Sequence, residues 1–223
     1  YTTTANNNIY GTLVSQQTVG ESYNRIYDPT NPEADNEGYA LLTVGIYTTN
    51  ANVLGQGVVD GFGTVLETIT EGESRRKDQT GAWMATGAYT TTANNNIYGT
   101  LVSQQTVGES YNRIYDPTNP EADNEGYALL TVGIYTTNAN VLGQGVVDGF
   151  GTVLETITEG ESRRKDQTGA WMATGAYTTT ANNNIYGTLV SQQTVGESYN
   201  RIYDPTNPEA DNEGYALSTV GIY

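Results

Sequence analysis

The stretch YTTTANNNIYG, residues 1–11, recurs letter for letter at residues 89–99 and again at residues 177–187. A shift of 88 positions superposes 135 residues (223 less 88) on their copies with one difference, Leu42 and Leu130 becoming Ser218. A fixed period of this kind decides the architecture before any single residue is weighed, because each copy must fold alike and meet its neighbours alike. The repeats are residues 1–88 and 89–176, followed by a half repeat at 177–223. The 88-residue unit is itself double: TTTANN at Thr2 answers TTNAN at Thr48, YGT at Tyr10 answers FGT at Phe62, and GES stands at both Gly20 and Gly72. The halves are residues 2–47 and 48–89, then 90–135 and 136–177.

Composition narrows the chemistry. The chain has no Cys and no His, which removes disulfides, thiolate metal sites and the commonest metal ligand and general base. No Ser-His-Asp or Cys-His set can be assembled, so an enzyme is not expected. Acidic residues outnumber basic ones 25 to 9, for a formal charge of −16, which argues against nucleic acid or an anionic membrane as partner. No run approaches eighteen apolar residues, so no membrane-spanning helix is expected. The sequence opens without Met or a charged-then-apolar leader, so an export signal is expected to have been removed or to belong to a longer parent chain.

The pattern is that of strands. IYGTLVSQQTV, from Ile9, alternates, with apolar groups on both sides near Leu13 and Val14. SYNRIY, from Ser22, is a second short strand candidate. GYALLTVGIYTT, from Gly38, is the strongest, with Tyr39, Leu41 and Thr43 expected on one face and Ala40, Leu42, Val44 and Ile46 on the other. GTVLETITEG and AWMATGAYTTT repeat the scheme in the second half, and the Thr, Val, Ile and Tyr enrichment suits a pleated surface. The 26 glycines interrupt most helical windows, and DPTNPEADNEG, TNAN, EGES and KDQTG read as turns. The expected fold is all-β, with antiparallel sandwich-like or blade-like units in a linear array. The alternative is a five-bladed β-propeller. With residues 2–47 called A and 48–89 called B, the chain reads A-B-A-B-A, which disfavours that closure because a ring would place two A halves side by side.

Several clusters invite a functional reading. Glu33, Asp35 and Glu37, copied as Glu121, Asp123, Glu125 and as Glu209, Asp211, Glu213, offer clustered oxygens to Ca2+. Val44 stands where an EF-hand needs its bidentate Glu, so only a looser calcium site in a turn fits. Tyr39, Trp83, Tyr127 and Trp171 are candidate stacking platforms for a glycan, beside the simpler reading of cross-strand pairs. Gly55, Gly57, Gly61 and Gly63 lack nucleotide-loop spacing and read as glycines at bulges or crowded backbone contacts. The RRKD runs from Arg75 and Arg163 read as charge-compensating turns suited to a repeated contact between units, and their lysines, Lys77 and Lys165, leave an intramolecular isopeptide bond open. Glu67 and Glu71 share a strand face, where acids also discourage edge-to-edge aggregation.

Verbatim copying fits a function of reach better than a single active site. The expected role is an extracellular or cell-surface structural repeat protein, a segment of a fibre, stalk or adhesin self-associating head to tail along the repeat axis. Ser218 would then act as a polar cap where Leu42 and Leu130 meet a following unit. The alternative is a lectin-like module with a glycan or calcium site in each half. No cofactor beyond Ca2+ is implied.

Overall fold

A computed structural model describes residues 1–28, 30–78, 81–116, 118–123, 125–165, 169–203, 206 and 215–223. Its 13 strands are β1 (Thr2–Asn7), β2 (Leu13–Tyr27), β3 (Tyr39–Ala51), β4 (Val58–Val59), β5 (Val65–Lys77), β6 (Trp83–Asn95), β7 (Leu101–Tyr115), β8 (Tyr127–Ala139), β9 (Val146–Val147), β10 (Val153–Lys165), β11 (Trp171–Asn183), β12 (Leu189–Tyr203) and β13 (Tyr215–Ile222). Among the described residues there is no helix. The strands belong to one antiparallel sheet in sequential order, with β4 and β9 paired beside β5 and β10. That order is open and is not the closed ring a propeller requires. The chain divides into two compact units, residues 1–108 and 109–223, each described by itself.

In the first unit, strands are longer than the alternation of residues suggests. Residues 9–12 form a turn rather than the start of a strand, and β2 then runs unbroken from Leu13 through Gly20 to Tyr27. EGES, expected to turn, lies in the middle of β5. Glycine survives there because an aromatic ring covers it. Gly20 pairs with Tyr47, Tyr47 with Gly72, and Gly72 with Tyr89, so a row of alternating Gly and Tyr crosses the strands. The ring of Tyr47 lies over Gly20 and that of Tyr89 over Gly72. A neighbouring ring supplies the apolar cover that glycine lacks, and glycine supplies the flat floor that the ring needs.

Two residues along the same face runs a row of threonines. Thr3 and Thr18 bond at 2.9 Å, Thr49 and Thr70 at 2.8 Å, and Thr91 and Thr106 at 2.8 Å. Cross-strand Thr pairs of this kind stabilise a sheet without a buried core. The opposite face carries Glu21 of β2 and Glu67, Glu71 and Glu73 of β5, interspersed with Val19, Ile46 and Ile69. One face is therefore uncharged over these rows and the other acidic.

A bulge redistributes side chains between the faces. Ser22 pairs with Gly45 but Tyr23 with Thr43, which leaves Val44 as the extra residue of β3. Tyr39, Leu41, Thr43 and Ile46 consequently share one face, whereas plain alternation places Ile46 with Ala40 and Leu42. The same shift recurs between Ser74 and Arg75.

The second unit repeats these features. Gly160 lies between Tyr135 and Tyr177, and Gly196 between Tyr177 and Tyr223. Thr137 bonds Thr158 at 2.8 Å and Thr179 bonds Thr194 at 2.9 Å.

Among the described residues the strands of each unit belong to one sheet, with no second sheet to face it as in a sandwich. Among the described residues the buried apolar side chains are only Ala40, Ala51, Ala128, Ala139 and Ala216, and no large side chain is fully buried. Leu13 is half-buried and Val14 exposed, so the two-sided burial expected there does not form. The buried Asn50 is satisfied inside the sheet: Gln17 donates to it at 2.9 Å, and it donates to Gln56.

Candidate functional site

Strand reversals place the loops of each unit at two ends, and the ends differ in chemistry. At one end of the first unit lie residues 28, 30–38, 78 and 81–82, next to the bulged halves of the strands. Asp35 organises the longer loop, its Oδ1 accepting the backbone N–H groups of Glu37 and Tyr39, each at 2.9 Å. Its Oδ2 accepts from Arg25 at 2.7 Å, and Glu37 accepts from the same guanidinium at 2.9 Å. Arg25 lies over the Tyr39 ring, 4.4 Å from its centroid, and Tyr27 meets that ring edge-on at 5.3 Å.

The following hairpin is tied to this loop. Arg75 lies 4.9 Å and the Lys77 ammonium 5.6 Å from the Trp83 ring centre. Arg75 Nε donates to the Thr43 carbonyl at 3.1 Å. Lys77 pairs with Asp28, whose other oxygen accepts from Thr30 at 2.8 Å. The two charged side chains are only 23% and 13% exposed, so this pair is shielded in a way the loop ion pairs of Arg25 are not. The expectation of a charge-compensating turn at RRKD thus needs correction: Arg75 and Lys77 lie on β5 and reach back to the preceding hairpin.

In the second unit Arg113 lies 4.4 Å from the Tyr127 centroid and donates to Asp123 at 2.6 Å and Glu125 at 3.0 Å. Arg163 and Lys165 flank Trp171 at 4.9 and 5.6 Å, Arg163 donates to the Thr131 carbonyl at 3.1 Å, and Lys165 pairs with Asp116. Arg201 lies 4.6 Å from the Tyr215 ring centre.

The expected calcium ligands Asp35 and Glu37, like Asp123 and Glu125, are thus gathered around an arginine, while Glu33 and Glu121 are exposed, their backbone N–H groups bonded to Asn31 and Asn119. Glu209, Asp211 and Glu213 lie outside the described residues. Among the described residues no three acidic side chains converge closely enough to hold an ion. Each proposed platform, Tyr39, Trp83, Tyr127 and Trp171, carries a guanidinium on one ring face. Ser218 lies on β13 opposite Asn200, half-buried. Arg25 was the partner that sequence reasoning missed. Its position two residues before Tyr27, opposite Leu41, is visible only once the bulge sets the register.

Electrostatics at this end bear on pH. The Lys77 ammonium, with Thr30, holds the Asp28 carboxyl below its ordinary value; Arg25 and two backbone N–H groups do the same for Asp35, and backbone N–H groups for Asp60. Asp116 and Asp123 are lowered by Lys165 and Arg113. A carboxyl depressed in the fold stabilises it above the unfolded-state value, about 3.9, and that contribution disappears as pH falls through the folded value. The thermal midpoint is therefore expected to lose these contributions only below about pH 4, and an Asp35→Asn, Asp123→Asn variant should show a shallower acid decline. Melting curves from pH 7 to 2 check this, and equal slopes for both proteins would contradict it.

The other end of the first unit carries residues 8–12, 52–64 and 96–100. Asn8 Oδ1 accepts the N–H groups of Tyr10 and Thr12 at 2.9 and 3.0 Å, and Asp60 and Asn96 close the turns at Phe62 and Tyr98 in the same way. These turns push large apolar side chains outward: Leu54 is 93%, Phe62 91% and Tyr10 85% exposed. Nearby on the uncharged face a cavity of about 140 Å³ is lined by Gln16, Thr18, Thr49, Ala51, Val65 and Thr68, smaller than the roughly 300–1,000 Å³ of small-molecule sites. Among the described residues no helix is long and apolar enough to cross a membrane.

No family model matches the chain, and no curated protein matches it. Among solved structures, a crystal structure of a protein of unknown function from Bacteroides fragilis is similar over 83% of this chain and 95% of its own, at 11% identity and a TM-score of 0.27. A likeness this slight carries no argument about fold or role.

Proposed function

We propose that the chain is a structural repeat protein, a segment of an extracellular fibre, stalk or adhesin whose task is to add reach by repeating one pair of hairpins. The observation that carries this reading is that the bonds between hairpins are copied along with the hairpins. Lys77 to Asp28 and Arg75 to the Thr43 carbonyl reappear as Lys165 to Asp116 and Arg163 to the Thr131 carbonyl. A site that acts once gains nothing from such duplication, whereas a scaffold whose stability is a sum over neighbours gains with every copy. Heterologous contacts of this kind do not close on themselves, so association along the repeat axis belongs to the same proposal. The cell-surface location and a glycan or protein partner belong to its adhesin form.

Small-angle scattering from chains of two, three and four full repeats tests it. Each repeat contributes four strands to the sequential order, so the maximum dimension should rise by a constant step of about 19 Å. A dimension that grows only as a compact particle of the same mass would overturn the proposal.

A further inference from the structure

The two loop ends described above differ: one gathers the ion pairs, and the other presents exposed apolar side chains, with Asp60 as the one charged residue of its turns in the first unit. In the first unit the turns at residues 8–12, 52–64 and 96–100 present Ile9, Tyr10, Leu54, Phe62, Ile97 and Tyr98, all strongly exposed, and contain no lysine or arginine. In the second unit residues 140–152 and 184–188 present Leu142, Phe150, Ile185 and Tyr186 in the same way.

Leu54 and Leu142 add an independent mark. Val53 and Gln56 exchange backbone hydrogen bonds across a two-residue turn in which Leu54 has φ 52° and Gly55 φ 80°. That geometry favours Asn-Gly, and a leucine held there costs stability while burying nothing. Its copy, Leu142, has φ 51°. An apolar knob kept in a strained turn and aimed at solvent points to contact with another surface.

We propose that these tips seat the protein on a neutral, zwitterionic lipid surface, with the apolar side chains entering the interfacial layer. Three features select this occupant. The tips are separate projections on successive hairpins, roughly 10 Å apart by strand spacing, which a continuous fluid surface accepts without matching grooves. Their backbone donors are already used: Asn8 and Asp60 side chains take the N–H groups at Tyr10, Thr12, Phe62 and Thr64, so entry into an apolar layer strands few polar groups. The charge of −16 and the missing basic residues exclude anionic headgroups and leave neutral ones. The exposed side chains, Leu, Ile, Phe and Tyr, are of the types that an interfacial anchor uses. The inference does not depend on the fibre reading.

Flotation of the 223-residue chain with phosphatidylcholine vesicles tests it. The wild type should float, and the variant Leu54→Asn, Leu142→Asn, Phe62→Ser, Phe150→Ser should lose at least about tenfold of its partition. Leu54→Asn with Leu142→Asn alone suits the turn better than leucine, so this pair should keep or raise the melting temperature while still weakening flotation. Three results would overturn the proposal: a wild type that stays unbound or binds only phosphatidylserine vesicles, a four-site variant that floats equally well, or lipid-free sedimentation showing a dimer that the four-site variant abolishes.

Discussion

Gly160→Val is expected to destabilise the protein, although valine is the better strand former. Intrinsic preference alone assigns valine an advantage of up to about 1 kcal/mol over glycine in a strand. A Cβ at Gly160, however, would stand 2.5 Å from two ring carbons of Tyr177 and 2.6 Å from its hydroxyl, so the ring must leave its floor. Displacing it exposes the ring and breaks the Gly and Tyr row that joins β8, β10, β11 and β12. The expected cost is roughly 2–3 kcal/mol, of opposite sign to propensity. Urea unfolding of Gly160→Val beside Tyr177→Ala and the double variant measures it. If the ring on glycine is the operative contact, the two losses should be strongly non-additive, since either change removes the same interaction. A stabilised Gly160→Val would refute the arrangement.

These rows show what the residue string disclosed and what it withheld. The period was legible because it is written as identity, and with it the all-β class, since Thr, Val, Ile and Tyr alternate and glycine interrupts most helical windows. Strand continuity was not legible. Gly20 and Gly72 look like punctuation in VGES and EGES, and only the cross-strand Tyr47 and Tyr89 reveal them as mid-strand floors. Facing was hidden for a related reason: Val44 is an ordinary strand residue, and nothing local marks it as the bulged one that brings Ile46 to the face of Leu41. The hairpin ends were half legible. DPTNPEADNEG declared a turn through its prolines and Asx residues, but the countercharge to Asp35 comes from Arg25, ten positions earlier, and depends on register. Exposure was withheld altogether. A pattern of Val, Leu and Tyr implies a core, yet with each unit built as hairpins in one sheet the buried apolar positions among the described residues shrink to alanines.

Stability in such a sheet must come from local geometry, which makes the glycines of GQGVVDGFG a graded test. Gly57 is in the left-handed region at φ 71°, and a Cβ there would lie 2.6 Å from the Asn50 carbonyl oxygen, 2.8 Å from that of Glu67 and 2.9 Å from the Ala51 Cα. All three are backbone atoms of paired strands and cannot rotate away. Gly57→Ala is therefore expected to cost about 3 kcal/mol, the sum of the left-handed penalty and the forced separation of β3 from β5. Gly55, at φ 80° with nothing within 4 Å, carries only the conformational penalty, so Gly55→Ala should cost about 1–2 kcal/mol. Gly61 has neither a left-handed φ nor a close neighbour, and Gly61→Ala should stay within about 0.5 kcal/mol of wild type. Urea midpoints of the three variants should fall in that order. The copy at Gly145 faces equivalent backbone atoms at 2.5, 2.8 and 2.8 Å, so Gly145→Ala should match Gly57→Ala. A Gly57→Ala variant as stable as Gly61→Ala would mean that the loop carrying Leu54 is not packed against β3 and β5 as described.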